Sequence, residues 1–123
     1  MRITITGSVP SKKNSKSFFV RDVKPMIVPG KVHRNWHKQA SMQLYGVKSI
    51  TDIRSVAIII YAADMRRGDL TNKAESIMDL LVDNRIIEDD NWFICPSLVL
   101  QFGGVDRKNP REEIIIKLIY GAI

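Results

Sequence analysis

A chain of 123 residues has room for one core and is read as a single domain over 1–123. With 45% hydrophobic and 26% charged residues it has the balance of a folded chain, and no apolar run approaches the roughly 20 residues of a membrane span. Lys and Arg number 19 against 13 Asp and Glu, a net charge of +6, which suits a polyanionic partner such as nucleic acid.

Residues 2–6 alternate polar and apolar as a strand does and lack the apolar core of a secretion signal, so a cytoplasmic protein is expected. The single cysteine, Cys95, agrees. It cannot form an intrachain disulfide, and its apolar neighbours mark it as a small buried hydrophobe. Lys12, Lys13 and Lys16 sit in a polar loop and are candidates for phosphate contact. Phe18 and Phe19 follow, read first as core and then as a dimer interface or a wedge against bases. Pro25, Pro29 and Gly30 keep residues 21–30 irregular or in short strands. A helix is predicted over 31–45, where Val32, Trp36, Ala40 and Leu44 recur as an apolar stripe.

The continuous apolar run 56–61 reads as a central strand, and 64–68 as a loop. A second helix is predicted over 71–83, burying Leu70, Ala74, Ile77, Met78 and Leu81 and turning Asn72, Glu75, Asp79 and Asp83 the other way. After the acidic turn 88–91 comes a strand over 92–102 interrupted by Pro96, a polar loop over 103–110, and a last strand over 112–120. The order is strand, helix, strand, helix, strand, strand. The expected class is therefore α/β (α+β), a mixed sheet with two main helices.

Charge is unevenly placed. Residues 1–48 hold ten Lys and Arg and one acid, Asp22, whereas eight acids lie between Asp64 and Asp90. An acidic cluster inside a polyanion binder makes chemical sense when a divalent cation stands between carboxylates and phosphate. Asp69 falls between a buried strand and a helix, and Asp89-Asp90 just before the next strand. If those strands are neighbours, the carboxylates can meet at one sheet edge. Hard oxygen donors of this kind favour Mg²⁺ or Mn²⁺.

At these residues the chain resembles the RusA family of Holliday junction resolvases. The resemblance rests on Asp69-Leu70-Thr71-Asn72 opening a helix, Asp79 ten residues after Asp69, the Asp89-Asp90 pair, the Arg66-Arg67 lead-in, and Pro10-Ser11 followed by Asn14. It covers the chain in length and element order, and its specific part is 64–91. Two positions depart from the family pattern: Thr71 stands where the family has Asp, and Glu75 where a Lys is often found.

The resemblance implies a homodimeric, metal-dependent endodeoxyribonuclease. It would resolve four-way DNA by paired phosphodiester hydrolysis in DNA recombination and repair, and it would need no small-molecule cofactor. On this reading Asp69 and Asp90 hold Mg²⁺, and Glu75 or Asp89 completes or orients the shell. Glu75 takes the place of the missing carboxylate and Lys73 supplies the lost cation. Lys12, Lys13, Lys16, Arg66 and Arg67 contact DNA.

Blander readings accompany these. Asn72 with Glu75 fits a capping box, Asp69 a helix cap, and Asp89-Asp90 a solvated turn. His33 and His37 lack a third ligand and read as structural or phosphate-facing. The alternative function is a non-catalytic branched-DNA-binding protein with a decayed metal site.

Overall fold

Period-two alternation at both ends of the chain and the apolar run between them assemble into one four-stranded sheet. The computed structural model describes residues 1–11, 16–21 and 24–120. Along the chain lie β1 (Arg2–Thr6), β2 (Lys16–Arg21), β3 (Lys24–Pro29), α1 (Lys31–Gln43), β4 (Ile53–Ala62), α2 (Leu70–Asp83), β5 (Leu98–Val105) and β6 (Arg111–Leu118). The sheet order is β1-β6-β4-β5, with β4 and β5 parallel and the other pairs antiparallel. The fold is thus α+β with a mixed sheet and two helices, as expected. The hairpin β2–β3, which pairs Phe18 with Ile27 and Phe19 with Met26, is an addition to the predicted order. The loop residues Lys12 and Lys13 lie outside the described residues, as does Asn14; Lys16 begins β2.

One face of the sheet carries the core. Ile3 and Ile5 of β1, Val56, Ile58 and Ile60 of β4, and Ile114 and Ile116 of β6 are buried on it. Against them pack Trp36, Ala40 and Leu44 of the first helical region and Ala74, Ile77, Met78, Leu80 and Leu81 of α2. Burying side chains of this size contributes about 1.5–3 kcal/mol each. The predicted stripe on α1 is displaced by one residue at its start: Val32 is 67% exposed, and His33 takes the buried position. A step of three from His33 to Trp36, then four to Ala40, keeps one face inward as well as the step of four from Val32 would have.

Two further elements differ from expectation. β5 starts at Leu98, later than the predicted 92. The Asn91 carboxamide oxygen accepts from the amides of Phe93 and Ile94, and the Asn91 carbonyl from Cys95, winding 91–95 into a turn. Trp92 and Phe93 are left 77% and 86% exposed. At its other end β5 continues through Gly103 and Gly104, where a polar loop was predicted. β5 bulges here, with Gly103 as the extra residue between the pairs Ile60–Phe102 and Tyr61–Gly104. A Cβ on Gly103 would stand 2.7 Å from the Tyr61 ring, so glycine here makes room for a neighbouring strand rather than for a turn.

α2 ends in a Schellman motif: the amide of Ile86 donates to the carbonyl of Leu81, and that of Arg85 to Val82. Arg85 occupies the left-handed position with φ +57°, where glycine is usual. The turn is pinned from outside, because the Ile50 amide donates to the Ile86 carbonyl at 2.7 Å and the Ser49 hydroxyl to the Arg85 carbonyl at 2.6 Å.

Ile77 is fully buried at the centre of the α2 contact. Ile77→Asp places an unpaired carboxylate there, at a cost comparable with the total stability of a small domain. The expected outcome is loss of the cooperative thermal transition by circular dichroism. A wild-type melt would mean that the inward face of α2 is misassigned.

Candidate functional site

The parallel pairing of β4 and β5 brings the start of α2 to the end of β4. Asp69 is the N-cap. One carboxylate oxygen accepts from the Thr71 amide at 3.0 Å and from the Thr71 hydroxyl at 2.7 Å; the other accepts from the Asn72 carboxamide at 3.1 Å. The predicted cap at Asp69 is therefore formed, whereas the Asn72–Glu75 capping box is not. Asn72 is instead the third helical residue and reaches back to the cap. Thr71 serves a local purpose, tying its hydroxyl to the same carboxylate.

Two clefts of opposite character flank this first turn. On one side a cavity of about 260 Å³ is lined by Thr71, Glu75 and Asp90, with Ala74, Met78, Cys95, Leu98 and Leu100 as its apolar walls. The segment 88–97 thus runs back along the helix and returns Asp90 to Glu75, fifteen residues earlier in the chain. Asp89 and Asp90 have unlike surroundings. Asp89 accepts from the Asp90 amide at 2.7 Å and from the Asn91 carboxamide at 3.0 Å, and those donors hold its carboxyl below the usual range. Asp90 is pushed up, first by partial desolvation and then by the neighbouring Asp89 and Asp79. Burial, with a smaller contribution from Asp90, also raises the Cys95 thiol. Asp90 therefore stands where negative charge is crowded, the condition a cation relieves.

On the other side a cavity of about 470 Å³ opens at the ends of β4 and β5, and a second of about 330 Å³ adjoins it. Asp64, Arg66, Arg67 and Lys73 line both. Asp64 accepts from the Arg66 amide and Nε, each at 3.0 Å, and pairs with Nη2 at 2.9 Å. The Arg66 amide, then its side chain, lower the Asp64 carboxyl. Lys73 Nζ donates to the Val9 carbonyl at 2.8 Å, joining α2 to the loop after β1. Gly68 lies against its stem: a Cβ there would be 2.8 Å from Lys73 Cε.

The structure thus brings together Glu75 and Asp90, sets Asp69 at the head of the same helix and Asp89 beside Asp90, and gathers Arg66, Arg67 and Lys73 on the opposite flank. Lys73 and Glu75 do not share a pocket, as a separation of two residues on a helix dictates. Among the described residues no three His, Cys, Asp or Glu side chains stand close enough to share one metal ion. His33 and His37 do not act as a pair: His33 is buried, and His37 Nε2 meets the Asp83 carboxylate at 2.9 Å, linking α1 to α2.

One residue escaped the sequence reading. Glu112 of β6 is fully buried, and neither carboxyl oxygen reaches hydrogen-bonding geometry with a described residue. Burial pushes its carboxyl up to about 8. The Trp36 indole, the Val9 amide and the Lys73 ammonium, all nearby, draw back only part of that rise. Its signal was the alternation of β6: Glu112 has the same parity as Ile114 and Ile116, the inward residues.

The chain matches no protein-family model and no curated protein.

A carboxyl titrating near 8 when folded, against an ordinary 4.5, keeps its proton in a window where the unfolded chain has lost it. Stability contributed by the neutral form is complete below the lower value and falls as pH rises towards the upper one. Wild type should lose stability relative to Glu112→Gln between these limits, by on the order of a few kcal/mol. Denaturant unfolding of both proteins across that window measures it. A gap that does not change with pH would give Glu112 an ordinary carboxyl.

Proposed function

We propose that this chain is a Mg²⁺-dependent endodeoxyribonuclease that resolves four-way DNA junctions, working as a homodimer in DNA recombination and repair. The observation that carries this reading is the placing of an acidic pocket and a basic cleft on either flank of one helical turn. A phosphodiester needs both: cations to hold the flanking phosphates, and carboxylates to hold a metal at the phosphate to be cut. The resemblance to the RusA family at Asp69-Leu70-Thr71-Asn72, Asp79 and Asp89-Asp90 supports the same class.

The donor set fits Mg²⁺ in its chemistry. Mg²⁺ keeps several waters and commonly takes one or two carboxylates, with substrate phosphate supplying further oxygens. Glu75 and Asp90, which line one pocket, would hold it, with Asp69 and Asp89 beside them. Bound there, the ion would lower the pKa of a water and stabilise charge on the phosphate oxygens. The chain's own work is positional. The capped turn fixes Asp69 and the start of α2, the Asp64–Arg66 chelate holds one guanidinium in place, and Arg67 and Lys73 extend the positive flank. Mn²⁺ has the same donor preference. Two-fold symmetry relates the paired cuts on a four-way junction, which is why a dimer suits it.

Cleavage of labelled synthetic junctions with and without Mg²⁺ tests this reading. Asp90→Asn should abolish cleavage while leaving junction binding intact or tighter, since one repulsive charge is gone. Asp69→Asn should do the same with only a small loss of melting temperature, because Asn keeps the cap on the Thr71 amide and forfeits the bond from the Asn72 carboxamide. Glu75→Gln should slow cleavage by roughly 10²-fold, the effect of a lost electrostatic contributor. Binding without cleavage in wild type would favour the non-catalytic branched-DNA-binding protein, and full cleavage by Asp90→Asn would remove Asp90 from the metal site.

The dimer is checked separately by light scattering, with twice 14.0 kDa the expected mass. A stable mass of 14.0 kDa at working concentration would remove it.

A further inference from the structure

The basic cleft has an interior that phosphate contact does not explain. Its floor is apolar, formed by Ile60 and Ala62 at the end of β4 and by Leu70 in the first turn of α2. Its wall is Phe102 and Val105 of β5, and Phe102 is 54% exposed. Only the rim is charged. Asp64 is committed to Arg66, while Arg67 has no ion pair or hydrogen bond among the described residues. Three cations and one carboxylate leave the rim with an excess of positive charge. An aromatic face and aliphatic floor left open to water, under a cationic rim, fit a ligand that is flat and apolar at one end and anionic at the other. About 470 Å³ is within the range of small-molecule sites and is ample for one nucleobase.

We infer that this cavity takes an unpaired nucleobase from the strand whose phosphates lie on Arg66 and Arg67, stacking it on Phe102 at the end of β5. The inference rests on the nuclease reading above and deepens it by naming what the basic flank holds. Base-on-aromatic stacking tolerates any sequence, since every base has a π-face, and contributes enough to change affinity several-fold or more. Extracting a base is least costly where it has fewer neighbours to leave, and the helix stack is already interrupted at the branch point of a junction. Gly68 and Leu70, which line the cavity, are the two neighbours of Asp69 in the chain. A base held there therefore sets which phosphate of its strand reaches the acidic pocket, making the cavity a register device for the cut.

The test uses the full-length protein without Mg²⁺ and four-way junctions carrying 2-aminopurine at single positions around the branch point. On binding, fluorescence at one position should rise several-fold as that base leaves the stack. Ala62→Phe fills the floor of the cavity, and should remove the rise and weaken junction binding about tenfold while the protein still binds. Phe102→Ala, a substitution at a half-exposed position that leaves the core intact, should reduce both effects in the same direction. Tight junction binding with no rise at any position, or a rise that Ala62→Phe leaves unchanged, would overturn the inference while the nuclease reading stands. Failure of the wild type to bind junctions at all would remove the nuclease reading, and the base pocket with it.

Discussion

Parallel pairing of β4 with β5 obliges the chain between them to cross back over the sheet, and α2 is that crossing. Much of the candidate site follows from this one constraint. The helix must begin where β4 ends, so its first turn, with the Asp69 cap, lies at the edge of the sheet. It must lie flat on the core face, so Ala74, Ile77, Met78 and Leu81 are sealed against β4, β5 and β6. Glu75 is then left at the flank nearer the returning segment and Lys73 at the other. The sorting of acid to one side and base to the other is a consequence of helical pitch on a helix whose roll is fixed by its buried face.

The acidic residues between Asp64 and Asp90 look alike in composition and are not alike in use. Asp64 is committed to Arg66, Asp83 to His37, and Asp69 to the first turn of the helix. Asp89 takes the donors of its own turn, and in doing so leaves Asp90 as the member of the pair facing crowded negative charge. Local hydrogen bonding thereby ties Asp64, Asp69, Asp83 and Asp89 to the fold and leaves Asp90 facing Glu75. Glu112 is a third kind, a carboxyl held inside the core beside Trp36, Val9 and Lys73. Kept neutral, it costs the fold less than it would ionised.

Glycine and asparagine set the edges of the site. Gly103 lets Tyr61 lie over β5 while Arg111 stacks on that ring at 3.9 Å, and this lets β5 run on to Val105 beside the basic cleft. Asn91 winds 91–95 into a turn that delays β5 and turns Cys95 inward against the acidic pocket. Both residues are punctuation in a sequence. What they punctuate, a bulge in one case and a tight turn in the other, depends on the strand lying alongside.

Period and capping chemistry are properties of neighbouring residues, and they were sufficient for α1, α2, β1, β4 and β6 and for the cap at Asp69. The inward face of α2 and the central place of β4 were legible for the same reason, since apolar residues repeating at the helical or strand period have only one way to leave water. Contacts between residues distant in the chain were not legible. The hairpin β2–β3, the late start of β5 and the return of Asp90 to Glu75 were decided by tertiary structure. So was the fate of Glu112, whose charge argues for solvent and whose position in β6 argues for the core. The strand won because Ile114 and Ile116, two and four residues on, bury far more apolar surface than one carboxyl loses in hydration when it can keep its proton.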